Sequence, residues 1–119
     1  MGLTYVASVY SQGNADAALL QKRYEVVLKW VATNLVERVQ RGEVLYSPIA
    51  HNHEMAKVAT LPKTWDFWKQ IDVATLKHCA KLIVLQMPGW EESVGIQAEI
   101  EVSKANCIPI EYIRVDMEG

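Results

Sequence analysis

The sequence predicts a single α/β domain over residues 1–119: a compact, mainly parallel sheet of four or five strands with helices on both faces, Rossmann-like or flavodoxin-like in layout. Three observations predict it. Short β-rich segments alternate with helical ones along the whole chain. Leu82-Ile83-Val84-Leu85 is apolar at four consecutive positions, the pattern of a strand covered on both faces. The intervals between strands are long enough for crossover helices, which implies parallel neighbours joined by right-handed connections.

Leu3–Ala7 is the first strand, followed by loop residues Ser8, Ser11, Gly13 and Asn14. From Asn14 to about Arg41 the period becomes helical. Leu20, Tyr24, Val27, Val31, Leu35 and Val39 step by three or four and form one stripe. Asn14 is placed to cap this helix, with Asp16 in its first turn. Gly42 follows Arg38 and Arg41 as the residue that ends it. Val44–Tyr46 reads as the second strand, closed by Ser47-Pro48. His51, Asn52 and His53 give the next stretch a polar start, with a short helix expected from Glu54 to Ala59. Thr64 can cap a helix, in one or two pieces, that carries Trp65, Phe67, Trp68, Asp72 and Leu76 and ends near Cys79. After the buried strand, Pro88-Gly89-Trp90 is a loop. Ser93 then starts a helix running to about Ala105, and Ile108–Ile113 is the last strand.

Ligands of such sheets sit beyond the carboxyl ends of the strands. That rim gathers residues 8–14, 47–53 and 86–93 and the residues after Tyr112. Twelve basic and fourteen acidic residues give a net charge of −2, which argues against a nucleic-acid polymer as partner. No apolar run reaches about 18 residues, so no membrane span is expected. The first residues, Met1 to Tyr5, have no basic segment of a signal peptide and read as strand. Cys79 and Cys107 fit no metal or redox spacing, and a cytoplasmic protein with two ordinary thiols is expected.

Phosphate-loop, nucleophile-elbow and metalloprotease motifs are absent. His51 and His53, two apart with no cysteine nearby, suit a rim or solvated loop better than a metal site. The segment from Pro88 to Glu99 is more informative. Ser93 at a helix start can offer a hydroxyl and free N–H groups to an anion or a sugar. Gly95 allows a close approach to the first turn, and Glu99 lies one turn on, on the same face. A cap and a solvated helical residue would have the same spacing. Trp65, Phe67, Trp68 and Trp90 can stack on a base or pack in a core or interface, and Trp90 has the best placing on the rim. Arg23 can reach a phosphate or cover apolar surface.

Three fragments, taken in order, resemble a known family. They are Tyr5-Val6-Ala7-Ser8-Val9-Tyr10-Ser11 with Arg23 and Gly42-Glu43-Val44 after it, then Ser47-Pro48-Ile49 with His51, then Pro88-Gly89-Trp90 with Ser93-x-Gly95-x-x-x-Glu99. Together they resemble the nucleoside 2-deoxyribosyltransferase superfamily in its DUF1937-type branch, which is related to deoxynucleoside 5′-monophosphate N-glycosidases. The resemblance implies Glu99 as the nucleophile on the sugar's anomeric carbon, Tyr5 as the group that orients it, and Asp72 as the acid that protonates the leaving base. It implies that Ser93 and Gly95 hold the 5′ end of the sugar, and that Ser8, Tyr10 and Ser11 lie in a loop that can contact the sugar-phosphate. His51 and Trp90 complete the expected binding set.

The activity this resemblance implies is N-glycosidic chemistry on a deoxynucleoside or its 5′-monophosphate, by hydrolysis or base transfer, with no cofactor and no metal. A non-catalytic nucleoside- or nucleotide-binding module is the alternative. The expected partners are a small nucleoside or nucleotide and further copies of the chain, in a dimer or tetramer.

Overall fold

The computed structural model describes residues 2–11, 13, 15–62 and 65–117, without the side chain of Ala56. Four strands, β1 (Gly2–Ala7), β2 (Glu43–Tyr46), β3 (Lys81–Gln86) and β4 (Ile110–Arg114), form one sheet in the order β2-β1-β3-β4. Every pairing is parallel, with Tyr5 level with Tyr46 on one side and Leu82 on the other. Among the described residues the strands are connected by the α-helices α1 (Ala17–Gln40), α2 (Pro48–Ala59), α3 (Trp65–Leu76) and α4 (Val94–Ala105), with a 3-10 turn at Trp90–Glu92 before α4.

Side-chain alternation along the strands divides the core in two. Val6, Ile83 and Leu85 pack against Val26 and Val27 of α1 on one face. Tyr5, Ala7, Leu82 and Val84 pack against Leu76 of α3 and Ile96 and Ile100 of α4 on the other. Helices therefore cover both faces, as the four apolar residues of β3 require. Since β2 and β3 lie on opposite sides of β1, the chain reverses direction across the sheet there. The ends of β1 and β3 thus mark the switch point where such folds open a crevice.

Several helix ends differ from the expected ones. Asn14 and Thr64 lie outside the described residues. The cap of α1 is Asp16, whose Oδ1 accepts from Leu19 N, so Asp16 precedes the first turn instead of sitting inside it. Gly42 does end α1, with φ +84°. The helix expected from Glu54 starts at Pro48: Ser47 Oγ accepts from Ala50 N, and proline suits the first helical position because its missing N–H has no helical partner to lose. Residues 51–53 are therefore helical and not loop.

The α1 stripe holds at Leu20 and Val27, but Leu35 and Val39 are exposed, and Arg38 is the buried residue of the last turns. It sits among Glu43, Lys81 and Glu111 at the amino ends of β2, β3 and β4. Arg38 Nη1 is 2.8 Å from Glu43 and 3.0 Å from Glu111, and Lys81 Nζ is 2.6 Å from Glu111. Among the described residues no helix is long and apolar enough to cross a membrane.

Candidate active site

A cavity of about 340 Å³ opens at the carboxyl end of β1, between the first turns of α2 and α4. β1 and its following loop contribute Tyr5, Ser8, Tyr10 and Ser11; α2 contributes Pro48, Ile49, Asn52 and His53; α3 contributes Trp65, Trp68 and Asp72; and α4 contributes Ser93, Gly95 and Glu99. The spacing within each helix explains the set. At about 3.6 residues per turn, Trp65, Trp68 and Asp72 share one side of α3, and Ser93, Ile96 and Glu99 run down one side of α4.

Three side chains meet at the bottom. Tyr5 is fully buried on an interior strand, and its hydroxyl donates to Glu99 Oε2. Glu99 is 6 % exposed and Asp72 8 %. Burial pushes the Glu99 carboxyl up to about 8, the Tyr5 hydroxyl works against that rise, and the nearby charge of Asp72 adds to it. Burial pushes Asp72 up to about 6, again opposed by the Tyr5 hydroxyl. The phenol of Tyr5 is itself driven far above its ordinary range by burial and by both carboxylates, so it serves only as a proton-bearing donor. Between about 6 and about 8, then, the pair binds roughly one proton. The Tyr5 donor opposes the rise at both carboxyls, and burial still leaves that proton mainly on Glu99.

Two polar atoms in the wall, Asp72 Oδ1 and Ser8 Oγ, are buried and make no hydrogen bond with described residues. Buried polar atoms normally have partners, so both are free to meet a ligand's polar groups. Ser93 caps α4, its Oγ accepting from Ile96 N, which leaves its hydroxyl hydrogen free to donate.

Of the residues expected at the site, Tyr5, Ser8, Tyr10, Ser11, Asp72, Ser93, Gly95 and Glu99 line this one cavity. A Cβ at Gly95 would lie 3.2 Å from the Trp65 ring, so the glycine makes room for Trp65. His51 and Trp90 are not on the cavity wall. His51 projects from the other side of α2, exposed, beside Tyr46. Trp90 turns toward Tyr112 of β4, 5.9 Å away, and packs on the core. Phe67 packs edge-on against Trp68 and is also off the wall. Buried Arg23 donates to the Tyr10 carbonyl and so braces the first loop. Sequence reasoning puts residues 47–53 on the rim and leaves His53 between rim and solvated loop, but it does not single out Asn52; both line the wall. The Ser47-Pro48 pair was the available signal, because a helix starting at Pro48 places 48, 49, 52 and 53 on one side. No group of three His, Cys, Asp or Glu side chains able to hold a metal ion occurs among the described residues.

No curated protein matches the chain. Residues 2–114, which include every strand and the whole cavity wall, match the family model described as a domain of unknown function, DUF1937, and the chain is a member of that family.

Proposed function

We propose that the protein cleaves or exchanges the N-glycosidic bond of a deoxynucleoside or its 5′-monophosphate. The reading rests on one observation above the others: two buried carboxyls, Glu99 and Asp72, share a cavity at the sheet's switch point, and a buried tyrosine hydroxyl donates to one of them. The motif resemblance to nucleoside 2-deoxyribosyltransferases supplies the substrate class.

The donor of Tyr5 favours the ionised form of Glu99, the form that attacks. Its carboxylate oxygen bonds to C1′ as the C1′–N bond breaks, and the bonding pair leaves with the base. The reacting form is therefore the minor one in which Asp72 holds the pair's shared proton and Glu99 is charged, and the leaving base takes up that proton from Asp72. The resulting glycosyl ester at Glu99 is opened by water, which yields a hydrolase, or by a second base, which yields a transferase. Trp65 and Trp68 supply faces on which a base stacks. Ser93 and the first N–H groups of α4 supply donors for the sugar's 5′ end. No step in this scheme calls for a metal or an organic cofactor.

A second reading, a binding module without chemistry, draws on the same burial of Glu99: a carboxyl raised to about 8 holds a proton at neutral pH and attacks poorly. Base release from a panel of deoxynucleosides and their 5′-monophosphates separates the two. The enzyme reading expects release that follows a bell-shaped pH profile between about 6 and about 8, since one carboxyl must be charged and the other not. Tight binding with no release by any substrate would leave the binding module. The expected self-association draws on exposed apolar side chains such as Val36 and Val58; a monomer-sized particle in light scattering at micromolar concentration would contradict it.

A further inference from the structure

Tyr10 and His53 stand on the cavity wall apart from the Tyr5–Glu99–Asp72 cluster. His53 is buried, its ring stacked on Tyr24 at 4.3 Å between centroids, with Tyr10 edge-on at 5.6 Å. Its Nδ1 lies 2.7 Å from the Tyr10 hydroxyl and its Nε2 lies 2.9 Å from Gln21 Oε1.

The direction of these bonds is set at the far end of the chain of contacts. The Glu25 carboxylate only accepts, so Gln21 turns its Nε2 to it, at 3.1 Å. That leaves Gln21 Oε1 toward His53. An amide oxygen only accepts, so His53 Nε2 donates. A neutral imidazole with its hydrogen on Nε2 has a bare Nδ1, which accepts from the Tyr10 O–H. Burial, aided by the charge of Glu54, raises the Tyr10 phenol, which therefore keeps its proton. Tyr10 has one hydrogen to give and gives it to His53. What remains for the cavity is the oxygen's lone pairs.

We propose that His53 is a positioning residue: through Glu25–Gln21–His53–Tyr10 it holds the Tyr10 hydroxyl as an acceptor, so the ligand group that meets Tyr10 is a hydrogen-bond donor, a sugar hydroxyl or a base amino group, and not a phosphate oxygen. The ligand half of this statement rests on the nucleoside reading of the site; the hydrogen-bond direction does not. Arg23, donating to the Tyr10 carbonyl, fixes the same residue from its backbone side.

Two measurements test it. In nitrogen-15 NMR of the ligand-free protein, His53 shows hydrogen on Nε2 and none on Nδ1, its signals assigned by their loss in His53→Asn. An imidazolium, or hydrogen on Nδ1, overturns the proposal whether or not the protein binds nucleosides. Calorimetry then gives Kd for deoxyadenosine, thymidine and their 5′-monophosphates with wild type, Tyr10→Phe, His53→Phe, the double variant and His53→Asn. Each Phe variant weakens binding about tenfold, the worth of one well-formed hydrogen bond, and the double variant is no weaker than either single one. His53→Asn, whose Oδ1 accepts where Nδ1 did, recovers most of the loss. Losses that multiply in the double variant, or unchanged affinity in His53→Phe, overturn the proposal and leave His53 as packing. If the NMR result holds and wild type binds none of the four, the nucleoside reading and the ligand half fail together, while the hydroxyl's direction stands.

Discussion

Glu99→Gln turns the burial of one carboxyl into a measurable slope. In the folded chain Glu99 titrates near 8, against 4.5 for an ordinary glutamate. Between those values the native state binds a proton that the unfolded chain has released. Stability therefore falls as pH rises through that interval, and the loss is complete above about 8. From pH 5.5 to 8.5 the affected span is about 2.5 units, worth about 3 kcal/mol at 1.36 kcal/mol per unit. Asp72, raised to about 6, completes most of its own change by the start of that range and adds little.

Glutamine keeps the size and still accepts from Tyr5, but it cannot ionise. The assay is urea denaturation of wild type and Glu99→Gln at the two pH values, with slopes compared at matched ionic strength. We expect the variant to gain about 2–4 kcal/mol on the wild type between pH 5.5 and pH 8.5. Parallel behaviour, within about 1 kcal/mol, would refute the reasoning. It would mean that the Tyr5 donor outweighs burial and that Glu99 stays charged in the folded protein throughout. That outcome would also remove the observation that favours a non-catalytic module.

Three other substitutions probe the site and its supports. Ser93→Asp preserves the α4 cap, since aspartate caps as well as serine, but sets a negative charge at the helix start. It should weaken binding of a deoxynucleoside 5′-monophosphate by tenfold or more relative to the nucleoside, read by calorimetry, and equal losses would leave Ser93 as a cap alone. Gly95→Ala places a methyl group 3.2 Å from the Trp65 ring. Its signature is a shifted tryptophan emission and weaker ligand binding with little change in melting temperature; an unchanged emission and Kd would mean that Trp65 does not depend on Gly95. Arg38→Ala strands Glu43 and Glu111 with Lys81 as their remaining shared partner and should cost about 2 kcal/mol of stability by urea denaturation, discounted for the partial exposure of Glu111. Base release per folded molecule should not change, because the network lies at the end of the sheet away from the cavity.

The legible parts of this chain are those where one local rule decides. The four-residue apolar run of β3, the helical stepping of α1 through Val27 and the serine cap of α4 read correctly. The rim followed from the sheet's direction, and it brought Tyr5, Asp72 and Glu99 together from distant segments. Errors came where tertiary partners override period. Arg38 is buried because two carboxylates and a lysine meet at the strand starts, which no helical stripe reveals. His51 and His53 look equivalent in sequence; the phase of α2, set at Pro48, sends one to solvent and the other to the wall. Trp90 follows a glycine with φ +92°, and that turn directs its ring to the core and Tyr112 instead of the cavity.

The strand order β2-β1-β3-β4 also has a kinetic side. β1 can meet β2 once the first 46 residues exist, yet its other edge has no partner until β3, and the Tyr5 hydroxyl reaches its acceptor across 94 residues of sequence. Closing so long a loop costs little more free energy than a short one, but it slows the search. The αβ half built from β1, α1 and β2 therefore has local contacts to fold by, while the cluster of Tyr5, Asp72 and Glu99 waits for the last third of the chain. Its two acids remain in water, with ordinary affinities for protons, until α3 and α4 dock. With Glu99 near 8, proton uptake at neutral pH is expected late in folding, and a pH-indicator dye in a stopped-flow refolding experiment tests this by timing the docking of α3 and α4.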